Sequence, residues 1–410
     1  MNATTAISDK DAKRVFKISC IALIVTAMTF AIRAGILGEL GEQYGLSGTE
    51  LGWIASMAFL GFPLAMIFGG ALYNAIGAKL IVWLAFIGHA LGLILTIVAD
   101  GFWGLMISTF LVGFANGLVE AGCNPIIAQL YPNNKTAMLN KFHVWFPGGI
   151  VIGSLVSAGM NSLGLGWEAQ VATMLVPTAI YGIMMLGFTF PELKTEDDST
   201  SGNLKALINP IYIFLAVCMT MTAVSEFGPG QWINKILEAS GATPMLILAL
   251  ITGIMALGRF YAGPLVHKLS PPGVLLASAI LTSLGLFLMT QLQGTAVYFA
   301  AIVFALGITY FWPTMIGCTS EYAPKTGALG MSLMGGAGMF AMGIWNPIIG
   351  GWIDSATAEA AVKGLTGNDL ALASGHAALN NLILFPLVLI VLFAGFYWIM
   401  RKAKSASTTT

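Results

Sequence analysis

The segment "PELKTEDDSTSGNLKALINP", residues 191–210, decides how this sequence is read. It is the one long polar stretch between apolar runs, and it sits near the middle of 410 residues. Six apolar runs precede it, at 16–39, 50–74, 79–99, 103–131, 138–161 and 168–190. Six follow, at 207–236, 244–267, 272–292, 296–320, 326–351 and 378–400. A helix of about 20 apolar residues spans a bilayer, so each run predicts one crossing. These are called spans 1 to 12. The expected organisation is an N-terminal six-helix bundle over 1–190, a cytoplasmic linker over 191–206 and a C-terminal six-helix bundle over 207–410.

Composition agrees. The chain is 57% hydrophobic and 9% charged, with mean hydropathy +0.85, where soluble domains carry about 25% charged residues. This predicts an all-α, polytopic membrane protein. The short-period alternation of a membrane barrel is absent. Net charge is zero, which gives no electrostatic reason for a nucleic-acid partner. Cys20, Cys123, Cys218 and Cys318 lie in apolar runs and read as buried free thiols. No cluster has metal-ligand spacing, no Gly-rich phosphate loop is present, and no nucleophile-and-base set can be placed. The chain therefore reads as no enzyme, with no cofactor and no metal.

Basic residues set the expected orientation. If twelve spans alternate, Lys10, Lys13, Arg14, Lys17, Lys79, Lys135, Lys141, Lys194, Lys205, Lys268, Lys325, Arg401, Lys402 and Lys404 fall on one side. Only Lys235 and Lys363 fall on the other. Positive loops stay in the cytoplasm, so both termini are expected inside a cell (inner) membrane. The halves also echo each other. "GGALYN" at 69–74 resembles "AGPLVH" at 262–267, and "LYPNNKTAMLNKF" at 130–142 resembles "EYAPKTGALGMSL" at 321–333. Two pseudo-symmetric bundles with a midplane site form a transporter architecture.

Charged residues inside the spans carry the functional reading. Glu120 stands in "GLVEAGCNP", after "GFWGLMISTFLVGFAN" with no charge at all. A charge at such depth costs about 2.5–3.5 kcal/mol on insertion scales. Asn116, Glu120 and Asn124 share one helix face at four-residue spacing. His143 lies eleven residues past Pro132 and Glu120 twelve before it, which brings the two to similar depth on antiparallel spans. Arg33 in span 1 needs an anion: Glu39, Glu120, Glu226, a substrate carboxylate, or the outer membrane surface by snorkelling. Glu226 precedes Gly228-Pro229-Gly230, which predicts a break or bend in span 7. Its alternatives are a binding role, a gate, or a structural pair with Lys235. Gln231 offers donor and acceptor, and Trp232 a flat face for a sugar ring. Trp145, Phe146, Trp312, Trp345 and Asn346 are further candidates, with "YFWP" and "IWNP" marking bends. Arg259, Lys268 and Glu321 read as an inner ion-pair gate, and His89 as a core histidine.

The loop "GGALYNAIGAK", 69–79, resembles that of the major facilitator superfamily, although Asn74 and Ala75 replace its usual acidic and basic residues. "VEAGCNP", "LNKFHVWFPGG" and "SEFGPGQWI" are similar to the fucose/glucose-type sugar:proton symporter branch. That resemblance implies a proton-coupled carrier of a monosaccharide, with Glu120 carrying the coupling proton. The branch's span 1 aspartate is missing, and Arg33 stands in that span instead. The expectations are a monomer in the bilayer that takes up a small polar solute with a proton. Glu120, Arg33 and His143 couple the proton. Asn124, Gln231, Trp232, Glu226, Trp312, Asn346, Trp145 and Phe146 bind the solute. The alternative cargo is a sugar acid or other small carboxylate held by Arg33. A non-transporting membrane receptor or enzyme is the remaining alternative.

Overall fold

The computed structural model describes residues 8–131, 138, 141–188, 190, 205–261 and 268–407. Of the expected linker over 191–206, residues 191–204 lie outside the described residues, as do 132–137, 139–140, 262–267 and the side chains at 70–71 and 73–75 of the loop motif. Among the described residues every element is helical, and there is no strand. In lipid no water satisfies an open backbone, so a helix, which satisfies its own, is the economical answer. Each of the twelve expected spans falls on helix. Nine described helices are long and apolar enough to cross a membrane, and Pro244–Phe260 is a shorter apolar one. Spans 2 and 3, Gly48–Gly69 and Ile76–Ile97, are separated by a kink at Gly77 (φ +73°, ψ 162°), a backbone region that glycine enters without strain.

Proline placement explains where other spans break. Pro147, Pro177, Pro313 and Pro386 are each the third residue of a helix: Trp145–Ser162, Leu175–Met185, Phe311–Tyr322 and Leu384–Ser407. A helix's first turn leaves its N–H groups without internal partners, so a missing N–H is tolerated there. The same chemistry interrupts span 6 at Met174, span 10 at Thr309–Tyr310 and span 12 at Ile383. Pro229 and Pro347 behave otherwise. Span 7 runs unbroken from Pro210 to Gln231 through Gly228-Pro229-Gly230, and the helix Gly327–Val362 continues through Pro347. The expected break in span 7 is thus displaced to Trp232 (φ −105°, ψ 14°), and "IWNP" interrupts no helix. Neighbouring helices support the backbone around these prolines.

Contacts divide the chain into two units, Met1–Ile32 with Met57–Asp197, and Arg33–Ser56 with Asp198–Thr410. In the first, spans 2 and 4 meet backbone to backbone. A Cβ on Gly113 would lie 2.4 Å from Ala58 Cα, and one on Gly117 2.2 Å from the Phe62 carbonyl oxygen. Gly113 and Gly117 form the small-xxx-small spacing that permits close approach where no hydrophobic force acts between helices. In the second unit Gly285 seats on Phe304 and Gly307 on Thr282, which pairs spans 9 and 10 in the same way. The four cysteines are free and buried, as expected.

Candidate functional site

Span 4 of the first unit carries a polar stripe. Glu120 is 7% exposed. Asn124, one turn on, donates from Nδ2 to Glu120 Oε2 at 2.6 Å. His143 Nε2 lies 3.1 Å from Asn124 Oδ1 and 3.7 Å from Glu120 Oε2. With Nδ2 turned to the carboxylate, the amide oxygen accepts from His143, so Nε2 carries the proton. The His143 side chain is 44% exposed and that of Glu120 9%, so the group has a wet end and a dry end. The structure thus brings Glu120, Asn124 and His143 together.

Asn116, one turn before Glu120, anchors a second chain of bonds. Its Nδ2 donates to Thr29 Oγ1 at 3.0 Å, and Thr29 donates to the Thr26 carbonyl. His89 Nε2 lies 2.8 Å from Asn116 Oδ1, and Nδ1 lies 2.9 Å from the Tyr181 hydroxyl. All donors point one way: Tyr181 to His89, His89 to Asn116, Asn116 to Thr29. With Asn116 Nδ2 turned to Thr29, its Oδ1 accepts from His89, so Nε2 carries a proton. His89 is fully buried, the core histidine that the sequence suggested. His89→Phe leaves both Asn116 Oδ1 and the Tyr181 hydroxyl without a partner. We expect about 1–3 kcal/mol of destabilisation, read as a lower unfolding midpoint in detergent, with a smaller loss for Tyr181→Phe.

In the second unit, Arg33 is 7% exposed and donates from Nε (3.1 Å) and Nη2 (2.8 Å) to Gln231 Oε1. One turn along the chain, Asn234 donates to the Gly35 carbonyl. The start of span 2 joins the same unit. Asp354 Oδ1 accepts from Gly48 N–H (2.7 Å), and Oδ2 from Thr49 N–H and Oγ1 (both 2.9 Å). A carboxylate at a helix N-terminus satisfies open N–H groups and meets the positive end of the dipole. A Cβ on Gly350 would lie 1.9 Å from the Gly48 carbonyl oxygen, and one on Gly52 2.4 Å from Pro347 Cα. Sequence reasoning missed Asp354, because a carboxylate 305 residues from the amide it caps leaves no local signature.

Glu226 is 8% exposed, and its Oε1 lies 3.2 Å from Arg259 Nη2. Arg259 Nε donates to the Thr309 carbonyl at 3.0 Å. That carbonyl would bond the N–H of residue 313 in a continuous helix, and Pro313 has none. One alternative and one expectation are corrected. Glu226 does not pair with Lys235, which lies 3.5 Å from Glu238 instead. Arg259, Lys268 and Glu321 are not brought together. Arg259 is engaged with Glu226 and Thr309, Lys268 and Glu321 are exposed, and neither forms an ion pair among the described residues. A desolvated carboxylate and a carbonyl without its helical donor draw the guanidinium away from the surface.

The aromatic candidates scatter. Trp232 is 1% exposed with Nε1 unpartnered, and Asn346 is fully buried with both amide atoms unpartnered. Trp312 packs edge-on to Phe227 at 6.0 Å, and Trp345 against Phe385 at 4.8 Å. In the first unit Trp145 is exposed, and Phe146 packs on Phe30 at 5.8 Å. Among the described residues no group of three His, Cys, Asp or Glu side chains is placed to hold a metal.

The sequence profile described as Major Facilitator Superfamily matches residues 19–344. The chain is 24% identical over 318 residues to a gentisate transporter of Corynebacterium glutamicum, covering 71% of this chain and 69% of that one. It is 23% identical over 370 residues to a nitrite extrusion protein of Bacillus subtilis, covering 86% and 90%. Its fold matches the crystal structure of a bacterial homologue of the human lysosomal transporter Spinster, with TM-score 0.78, 16% identity and coverage of 96% and 97%.

Proposed function

Because the chain belongs to the Major Facilitator Superfamily, we propose that it is a proton-coupled secondary transporter that takes up a small polar solute, a monosaccharide, by alternating access. The observation that carries this is the Glu120–Asn124–His143 group. Burial disfavours the charged form of a carboxylate, and water or a cation favours it. Glu120 is buried, yet 3.7 Å from a histidine that reaches solvent. His143 exchanges protons with water, and Glu120 holds the proton through the transport step. Asn124 keeps the ionised carboxylate bonded when the proton leaves. Gln231 and Asn346 supply hydrogen bonds to the solute. In proteoliposomes, an inward proton gradient should drive accumulation of a labelled hexose or pentose, and a protonophore should abolish it. Accumulation indifferent to the protonophore refutes the coupling.

One observation favours a second cargo, a sugar acid or other small carboxylate. Arg33 is buried and keeps its charge there, and a planar guanidinium matches a carboxylate through two parallel bonds. Gentisate and nitrite, the solutes named for the two relatives, are anions. A hydrogen bond to a charged group contributes about 1.5–3 kcal/mol. Arg33→Gln should therefore weaken binding of a hexuronate about 10- to 150-fold and leave the neutral hexose nearly unchanged. Competition of each against labelled uptake measures this, and equal loss for both removes the anion reading.

A further inference from the structure

One buried carboxylate has no part in the coupling described above. Glu226 uses a single oxygen: Oε1 meets Arg259 Nη2 at 3.2 Å, and Oε2 has no hydrogen-bond partner. Charge-assisted N–H···O bonds run at about 2.7–2.9 Å, so even the one contact is long. An ionised carboxylate buried with one oxygen unbonded is in a costly state. Its partner is better placed. The Arg259 side chain is 22% exposed against 7% for Glu226, and its Nε is fixed on the Thr309 carbonyl. The cation keeps some water and an independent anchor, while the anion has neither. Neutralising Glu226 therefore leaves Arg259 held, whereas keeping Glu226 charged leaves Oε2 unsatisfied.

The facing helix carries a second buried polar side chain without partners. Spans 7 and 11 touch at Gly338 against Ala223 and at Gly228 against Ile349. Glu226 and Asn346 both fall in the interval between those contacts, and Asn346 Oδ1 is a buried acceptor without a donor. Among the described residues, Arg259 is the one charged or titratable side chain bonded to Glu226. Beside it, the Tyr310 hydroxyl donates to the Gly258 carbonyl.

We propose that Glu226 is a second proton-binding site, in the C-terminal unit, taking H⁺ from water onto the unbonded Oε2. The proposal rests on the reading of the protein as a proton-coupled carrier and adds a proton to its cycle. It needs no identified solute to test. The full-length protein in lipid vesicles is taken from alkaline to mildly acidic buffer and followed by infrared difference spectroscopy, which reports the C=O stretch of a carboxyl group as it gains a proton. Two carboxylic bands are expected. Glu120→Gln removes one and Glu226→Gln the other. Arg259→Gln displaces the Glu226 band, because the group bonded to its Oε1 changes. If Glu226→Gln fails to fold, Glu226→Asp serves instead and should displace its band. A spectrum unchanged by Glu226→Gln, or by Glu226→Asp, overturns the proposal. A single band that belongs to Glu120 overturns it while sparing the coupling role of Glu120. No titrating band at all overturns both.

Discussion

Glu120→Gln is expected to abolish accumulation driven by a pH gradient while leaving exchange of solute across the membrane. The substitution preserves shape and removes a charge whose burial costs about 2.5–3.5 kcal/mol, so the folded protein should survive. Gln mimics the protonated side chain permanently. Steps that require a neutral group at 120 continue, and steps that require proton release stop. In proteoliposomes loaded with unlabelled solute, labelled solute should still enter by counterflow. With an inward proton gradient and no internal solute, net uptake should stop, because the empty carrier returns only after it releases its proton. His143→Gln should retain coupling at reduced rate, because His143 supplies the exposed end of the relay and Glu120 the stored charge. Uphill accumulation that persists in Glu120→Gln removes this residue from the mechanism.

The largest structural effect is expected from Gly117→Leu. A Cβ there would stand 2.2 Å from the Phe62 carbonyl oxygen and 2.8 Å from Ala65 Cβ. Ordinary overpacking of a core costs about 1–3 kcal/mol, because side chains shift. Here the obstacle is backbone, so spans 2 and 4 must separate along their shared face. That face holds the helix that presents Asn116, Glu120 and Asn124. We expect no monodisperse protein by size-exclusion chromatography in mild detergent. Gly159→Leu is the control, since a Cβ at Gly159 meets nothing within 4 Å and the helix is the same class of membrane span. Equal recovery of both variants would show that the close approach of spans 2 and 4 is dispensable.

Much of this was legible before any coordinates. Hydropathy located every span, because the demand that lipid makes on backbone hydrogen bonding is local and each helix meets it alone. The interruption near Pro313 was legible in "YFWP" too, whereas span 7 is continuous through Gly228-Pro229-Gly230 and ends at Trp232. Glu120, Asn124 and His143 were found together because helical period and one short turn suffice to align them.

What the chain alone could not determine were the pairings made across distant segments. Arg33 donates to the amide of Gln231, a partner 198 residues away that its own span does not announce. Glu226 had a binding role, a gate and a pair with its sequence neighbour Lys235 open to it, and is joined to Arg259 on another span. Asp354 gave no sign of the helix start it caps. Spans and helix faces follow from local chemistry, in which each residue answers to lipid, water and its own turn. Partners of buried charges follow from which helices come within about 3 Å of one another, a distance that hydrogen-bond geometry demands and only tertiary packing sets.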